Sequence, residues 1–227
     1  MSNEDLNGLV QDKVKEVSSS LIATIHALVK STEPRDDDTG AHIERTARYC
    51  RLMAEKLREA GLFEDKVNEE FIENIGIAAP LHDIGKVGVP DSILLKPGRL
   101  TDDEYEKMKT HVVKGYGTLA SVDSLHHENA FLRLGMEISR YHHEKWDGSG
   151  YMSELSHEDI PLSARIMALA DVYDALRSKR VYKGAISHEK TVSIIKEGRE
   201  NHFDPQLVDI FVEHNSLFND IFEELSN

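Results

Sequence analysis

Apolar residues recur at Val10, Val14, Val17, Leu21 and Leu28, in alternating steps of three and four with Thr24 as the weak position. This heptad-like seam predicts a helix over residues 4–31. We read residues 1–33 as a signalling and dimerisation helix, with packing on its own domain as the alternative. Glu33-Pro34-Arg35-Asp36-Asp37-Asp38 breaks the seam, and positions 36–39 offer a cap for a second helix from about Asp38 to Ala60, closed by Gly61. Its apolar side is Ile43, Ala47, Met53, Ala54 and Leu57. A third helix is predicted over roughly Asp65 to Ala79, with Pro80 bending the chain just before His82-Asp83.

Residues 87–100 hold Pro90, Pro97 and Gly98 and read as a loop. Thr101-x-x-Glu104 is a capping box that opens a helix to about Leu119, carrying His111. Phe131 to Tyr141 is predicted helical and delivers His142-His143, while Glu144 to Ile160 is a loop with Asp147, Gly148, Ser149 and Gly150. Pro161 starts a helix that is apolar at Ile166, Met167, Leu169, Ala170, Val172 and Tyr173, and Asp204-Pro205 opens the last one, which reaches Leu225. No stretch alternates with period two. The expected fold is all-α, with one domain over residues 34–227.

Composition narrows the function. The 227 residues are 40% apolar and 30% charged, with no run near the length of a membrane span and no signal peptide in the first 30 positions. A cytoplasmic protein without membrane contact is expected. Cys50 is the single cysteine, which excludes a disulfide framework and a Cys-rich zinc site. The formal charge of −14 argues against DNA or RNA as a partner. An anionic substrate would need metals and individual Lys or Arg side chains. Twelve histidines are many for such a chain, so the question is which of them converge.

His82-Asp83 follows the apolar run from Ile75 to Leu81, where a carboxylate is rarely buried unless paired or bound to metal. Imidazole and carboxylate together suit a divalent cation, and the carboxylate can bridge two. Asp38 and His42 are four apart and share a helix face. Adjacent His142-His143 can each serve a different ion. His126-His127-Glu128 repeats the tripeptide His142-His143-Glu144 in a polar loop, where it reads as solvated. Asp171 lies in an otherwise apolar helix and needs a partner, with Asp174 three positions on. Arg180 and Lys183 are suited to phosphate oxygens. His111 alone would pass for an ordinary core or surface histidine.

These residues lie in an order that resembles a known family. Arg35-Asp36-x-x-Thr39-Gly40-x-His42-x-x-Arg45, then His82-Asp83-Ile84-Gly85-Lys86, Met108-Lys109-x-His111 and His142-His143-Glu144-x-Trp146-Asp147-Gly148-Ser149-Gly150-Tyr151 look like the HD-GYP branch of the HD superfamily. Asp171-Val172-Tyr173-Asp174-Ala175-Leu176 and Phe203-Asp204-Pro205 extend the likeness to about residues 35–211. The resemblance implies an HD-type helical bundle with a buried site for two or three divalent ions, usually iron or manganese, with zinc as an alternative. It implies hydrolysis of cyclic di-GMP to linear pGpG and onward to GMP. By position the ligands would be His42, His82, Asp83, His111, His142, His143 and Asp171, with Asp38 at the place of an extra ligand. Asp83 and Lys86 would be catalytic, and Tyr151, Asp174, Arg180 and Lys183 would line the substrate site.

The name-giving Gly-Tyr-Pro is here Gly150-Tyr151-Met152, and two following glycine positions carry Glu154 and His157. Loss of proline and glycine is expected to change the loop's backbone freedom and to bear on partner docking through residues 147–161 more than on the metals. The alternatives are a weakly active or inactive module that binds cyclic di-GMP or a protein, and a phosphohydrolase for another cyclic dinucleotide.

Overall fold

A computed structural model describes residues 39–124, 129–152, 155–178 and 185–226, together with isolated positions between 6 and 30 that are all helical. The predicted N-terminal seam, Asp38, the 126–128 tripeptide, Glu154, Arg180 and Lys183 lie outside the described residues. Among the described residues, nine α-helices follow from residue 39: α1 Thr39–Glu59, α2 Glu69–Ala78, α3 Asp91–Leu94, α4 Asp102–Lys109, α5 His111–Asp123, α6 Ala130–Tyr141, α7 Leu162–Arg177, α8 His188–Glu197 and α9 Pro205–Leu225. A 3₁₀ segment, Ala79–Gly88, joins α2 to α3, and a short 3₁₀ turn covers His157–Asp159. Among the described residues there is no strand beyond one isolated bridge between Arg199 and Phe203. The all-α expectation holds.

Boundaries moved where side chains cap the backbone. The third predicted helix begins at Glu69 rather than near Asp65, because the Asn68 side chain accepts the Phe71 N–H. The Thr101–Glu104 capping box forms in both directions. Its helix stops at Lys109, and His111 begins a separate helix, with Thr110 bonding back to Lys107 in a 3₁₀ pattern. The expected 87–100 loop contains the single turn α3. Helix α8, opened by a Ser187 cap, was not expected from the hydrophobic pattern.

The main core joins α1, α2, α7 and α9. Tyr49, Met53 and Leu57 meet Ile72 and Ile75, and these pack on Ile166, Leu169 and Tyr173 and on Phe211 and Phe218. Four rings interlock, with Tyr49–Tyr173 centroids 5.2 Å apart and Phe211–Phe218 centroids 5.0 Å apart. Helix α7 is buried around almost its whole circumference, which fits its apolar sequence on several sides. A smaller cluster gathers Ile43, Leu81, Leu119 and Leu132, and Val29 from the N-terminal segment is buried with them.

Two glycines set the distance between the 3₁₀ segment and α5. A Cβ on Gly85 would lie 1.9 Å from the His111 carbonyl oxygen and 2.4 Å from the Gly115 nitrogen. Only hydrogen fits there, so backbone meets backbone and the segment carrying His82-Asp83 is drawn up to His111. Substituting Phe218 by alanine is expected to cost about 3–5 kcal/mol of unfolding free energy in a urea titration. The neighbouring Leu217, which is 37% exposed, should tolerate alanine within about 0.5 kcal/mol.

Candidate metal centre

Each imidazole is aimed by the atom it does not offer. The buried rings of His82, His111 and His142 donate from Nδ1 to the carbonyl oxygens of Ala79, Met108 and Ile138, each at 2.9 Å. His42 turns its Nδ1 to Asp174 Oδ2 at 2.8 Å. These bonds select the tautomer whose Nε2 lone pair points into the bundle. The carbonyls belong to residues three or four positions earlier, so a helical turn in the backbone is enough to orient each ring.

Seven side chains converge in two groups. Asp83, His111, His142 and His143 form one, and His42, His82 and Asp171 form the other; within each, the potential ligand atoms lie within 4.8 Å of one another. Asp83 faces both. Its Oδ1 is 3.3 Å from His111 Nε2 and 3.9 Å from His142 Nε2, whereas its Oδ2 is 3.2 Å from His82 Nε2. Donor atoms about 3 Å apart are what two ligands of one cation require when each bond is about 2.1 Å long. The nitrogens His82 Nε2, His111 Nε2 and His142 Nε2 and the oxygen Asp83 Oδ1 are buried with no hydrogen-bond partner. Buried polar atoms left in this state are unfavourable. A cation at each group satisfies them, so the residues fit divalent metal ions.

The first group is buried except for His143, and the second is half-exposed at His42 and Asp171. The opening of the site therefore lies on the side of His42, Asp171 and His143. Burial and the neighbouring His82 charge push His142 down to about 3, and burial holds His143 and His111 below the usual histidine range. Those rings are neutral and ready to ligate at pH 7. Burial alone would lower His82 too, but the Asp83 carboxylate beside it outweighs burial and holds the ring up at about 9. Burial opposes ionisation of Asp83, yet Lys86 and His82 keep it well below the ordinary carboxylate range. In the metal-free chain a proton on His82 thus occupies the place of a cation.

Lys86 contacts Asp83 Oδ2 directly. Tyr151 stacks on His143, with centroids 4.1 Å apart and planes at 29°. Asp174 is 1% exposed, and Arg45 Nε and Nη2 reach its two oxygens at 2.6 and 3.0 Å while His42 Nδ1 takes a third contact. A carboxylate so enclosed orients the His42 ring and is engaged by Arg45 and His42. Arg45 is the partner that sequence reasoning left without a role, although its spacing of three from His42 put both on one face of α1. Glu144, 2% exposed beneath the Tyr151 loop, was likewise missed, since a glutamate after a histidine pair carries no distinctive signal.

Loading with Mn²⁺ at pH 7 in weak buffer should release a proton from His82, because a metal displaces it from the same nitrogen. With a pKa of about 9, the release is full below that value and disappears as pH rises through it. A pH-stat titration of wild type against His82→Gln checks this, the variant releasing about one proton fewer per chain at pH 7.

Comparisons with known proteins agree with this geometry. A family model described as HD domain matches residues 25–207. A cyclic di-GMP phosphodiesterase of Vibrio cholerae is 47% identical over 214 residues, which are 93% of this chain and 43% of that protein. A 3′3′-cGAMP-specific phosphodiesterase, also of Vibrio cholerae, is 40% identical over 211 residues, covering 93% of this chain and 37% of the relative. The chain therefore spans less than half the length of these two curated relatives. A crystal structure of a cyclic GMP-AMP-specific phosphodiesterase of Vibrio cholerae superposes with a TM-score of 0.60 at 16% identity, over 92% of this chain and 51% of that one. That likeness supports the bundle, while the sequence matches carry the kinship. The chain belongs to the HD domain family, in the HD-GYP branch whose order of histidines and aspartates it follows.

Proposed function

We propose that this domain is a metal-dependent phosphodiesterase that opens cyclic di-GMP to linear pGpG and continues to GMP. The observation that carries the reading is the division of seven ligand residues into two groups with Asp83 turned to both. Relatives named cyclic di-GMP phosphodiesterase at 47% and 37% identity support the substrate. His and carboxylate donors without thiolate favour iron or manganese, with zinc as the alternative. Cys50 belongs to neither group and is fully buried with its Sγ 3.7 Å from Met167 Sδ. When bound, the ions supply Lewis acidity at the phosphoryl oxygens and a nucleophilic water at neutral pH.

The chain's own residues divide the remaining work. Lys86, at the Asp83 carboxylate, is placed to neutralise charge gathering on the phosphate or to protonate the departing 3′-oxygen. Tyr151 on His143 offers a flat face at the rim of the site. Arg180 and Lys183, outside the described residues, are assigned to the dinucleotide, and Asp38 to a third ion. Arg45 and Asp174 orient His42. No helix among the described residues is long and apolar enough to cross a membrane. Dimerisation through the N-terminal helix and partner docking through residues 147–161 remain part of the proposal. Removing residues 1–28, upstream of the buried Val29, should halve the mass measured by light scattering.

A second reading, turnover of 3′3′-cGAMP, is favoured by the relative of that name at 40% identity. Anaerobic assays of iron- or manganese-loaded protein against both dinucleotides separate the two. Product from cyclic di-GMP, lost in His82→Ala/Asp83→Ala by at least about a thousandfold, is the expected result. Preferential cleavage of 3′3′-cGAMP would move the substrate assignment. Full metal occupancy without product from either would leave a binding module.

A further inference from the structure

The carboxylate of Glu144 belongs to neither ligand group, yet it is 2% exposed and directly follows the ligand pair His142-His143. Its backbone N–H donates to Tyr141 O at 2.9 Å, which closes α6 behind the histidines. Its side chain turns the other way, and Oε1 accepts the Met152 backbone N–H at 2.9 Å. The intervening turn is pressed against the same residue. A Cβ on Gly150 would lie 2.5 Å from Glu144 Cα and 2.6 Å from its Oε2, so this loop closes only over a glycine. Between these two attachments sits Tyr151, whose N–H reaches His143 O at 3.3 Å and whose ring stacks on the His143 ring. Tyr105 meets the far edge of Tyr151 at 5.8 Å between centroids.

We propose that Glu144 is a positioning residue: its buried carboxylate clasps the Met152 amide and so holds Tyr151 over the ligand His143 at the mouth of the site. The chemistry depends on residue 152 not being proline. Proline has no N–H, so the bond that fastens this loop exists because methionine stands at that position. The turn is thereby held by a hydrogen bond to a buried acceptor, where a proline would restrict it through its ring. Loss of the acceptor frees the loop and leaves the metal ligands in place, since their orienting bonds run to Ala79, Met108 and Ile138 and to Asp174. Tyr151 then ceases to be a fixed wall for the dinucleotide, a consequence that rests on the phosphodiesterase reading.

The test uses the full chain loaded with Mn²⁺, reads amide exchange by mass spectrometry with electron-transfer fragmentation, which the paramagnetic ion does not disturb, and compares wild type with Glu144→Ala and Glu144→Gln. Hydrogen exchange at the Met152 amide should accelerate about tenfold or more in Glu144→Ala and return close to the wild-type rate in Glu144→Gln, whose amide oxygen still accepts. Bound manganese, measured on the same samples, should be unchanged. In turnover, KM should rise about tenfold in Glu144→Ala with kcat within about threefold, and Glu144→Gln should recover most of it. Exchange at Met152 that is equal in wild type and Glu144→Ala overturns the clasp, as does loss of manganese in Glu144→Gln. If the alanine variant does not fold, Glu144→Gln with a fast-exchanging Met152 amide overturns it equally. Exchange and metal content are read without substrate, so absence of turnover in wild type would overturn the phosphodiesterase reading alone. A changed exchange rate with unchanged KM would overturn the link from the clasp to substrate handling.

Discussion

Everything near the site depends on a shortage of hydrogen-bond partners for the buried atoms around Asp83. Three imidazole nitrogens and one of the Asp83 oxygens are buried without a hydrogen-bond partner. Each such atom costs about 1–3 kcal/mol when left unsatisfied. The bundle carries that penalty because the rest of the core is dense enough to hold the geometry without relaxing. Cations recover it, which makes ion binding and folding stability one quantity in this domain. The same shortage explains the divergent protonation of chemically identical rings. His82, beside the Asp83 oxygen that also meets Lys86, is held up at about 9, whereas burial and the His82 charge lower His142, and burial and His142 lower His143.

The two ligand groups are held by different means. Around the buried group, orientation comes from backbone carbonyls one helical turn back, and from the glycine contact that lets the 3₁₀ segment touch α5. In the half-open group a backbone carbonyl again sets His82, but side chains set His42. Arg45, which is 0% exposed, binds Asp174 through two nitrogens and also reaches Ser178 Oγ at 2.9 Å, tying α1 to the end of α7. A buried pair of this kind adds little net stability but is costly to break from one side. Its contribution is to fix the register of two helices that bring His42 and Asp171 from positions more than a hundred residues apart. A backbone carbonyl could not do this, since no single helix carries both ligands.

Much of this was legible in the chain. The apolar spacing of α1, the Thr101–Glu104 box and the Asp204-Pro205 start are local signals, and the helices formed close to where those signals lie. His82-Asp83 and Asp171 stood out because charge behind apolar runs needs a partner. The break at Thr110 was not legible, because it answers to Gly85 packing against the His111 carbonyl, a contact across 26 residues. Helix α8 escaped notice because only Thr191 and Ile195 are buried along it, too few for a periodic stripe. The Arg45 and His42 contacts of Asp174 were not legible for a related reason: position in the sequence does not reveal which side of α7 meets α1.

The altered loop illustrates how a backbone shape survives a change of residue. Losing proline at 152 and glycine at 157 was expected to alter its freedom. His157 nevertheless sits at φ 54°, in the left-handed region where glycine is ordinarily preferred. A side chain there costs of order 1–2 kcal/mol. Two contacts offset it: the His157 N–H donates to Trp146 O at 2.8 Å, and the imidazole meets the indole edge-on with centroids 5.3 Å apart. Trp146 is itself anchored by its N–H on His202 O. At the other end, Met152 contributes the amide that Glu144 accepts. The described ends of this loop are secured by hydrogen bonds and, at His157, by an aromatic contact. Such restraints are more easily released than a proline ring, so the loop over His143 is the part of the site whose closure the chemistry of single side chains can set.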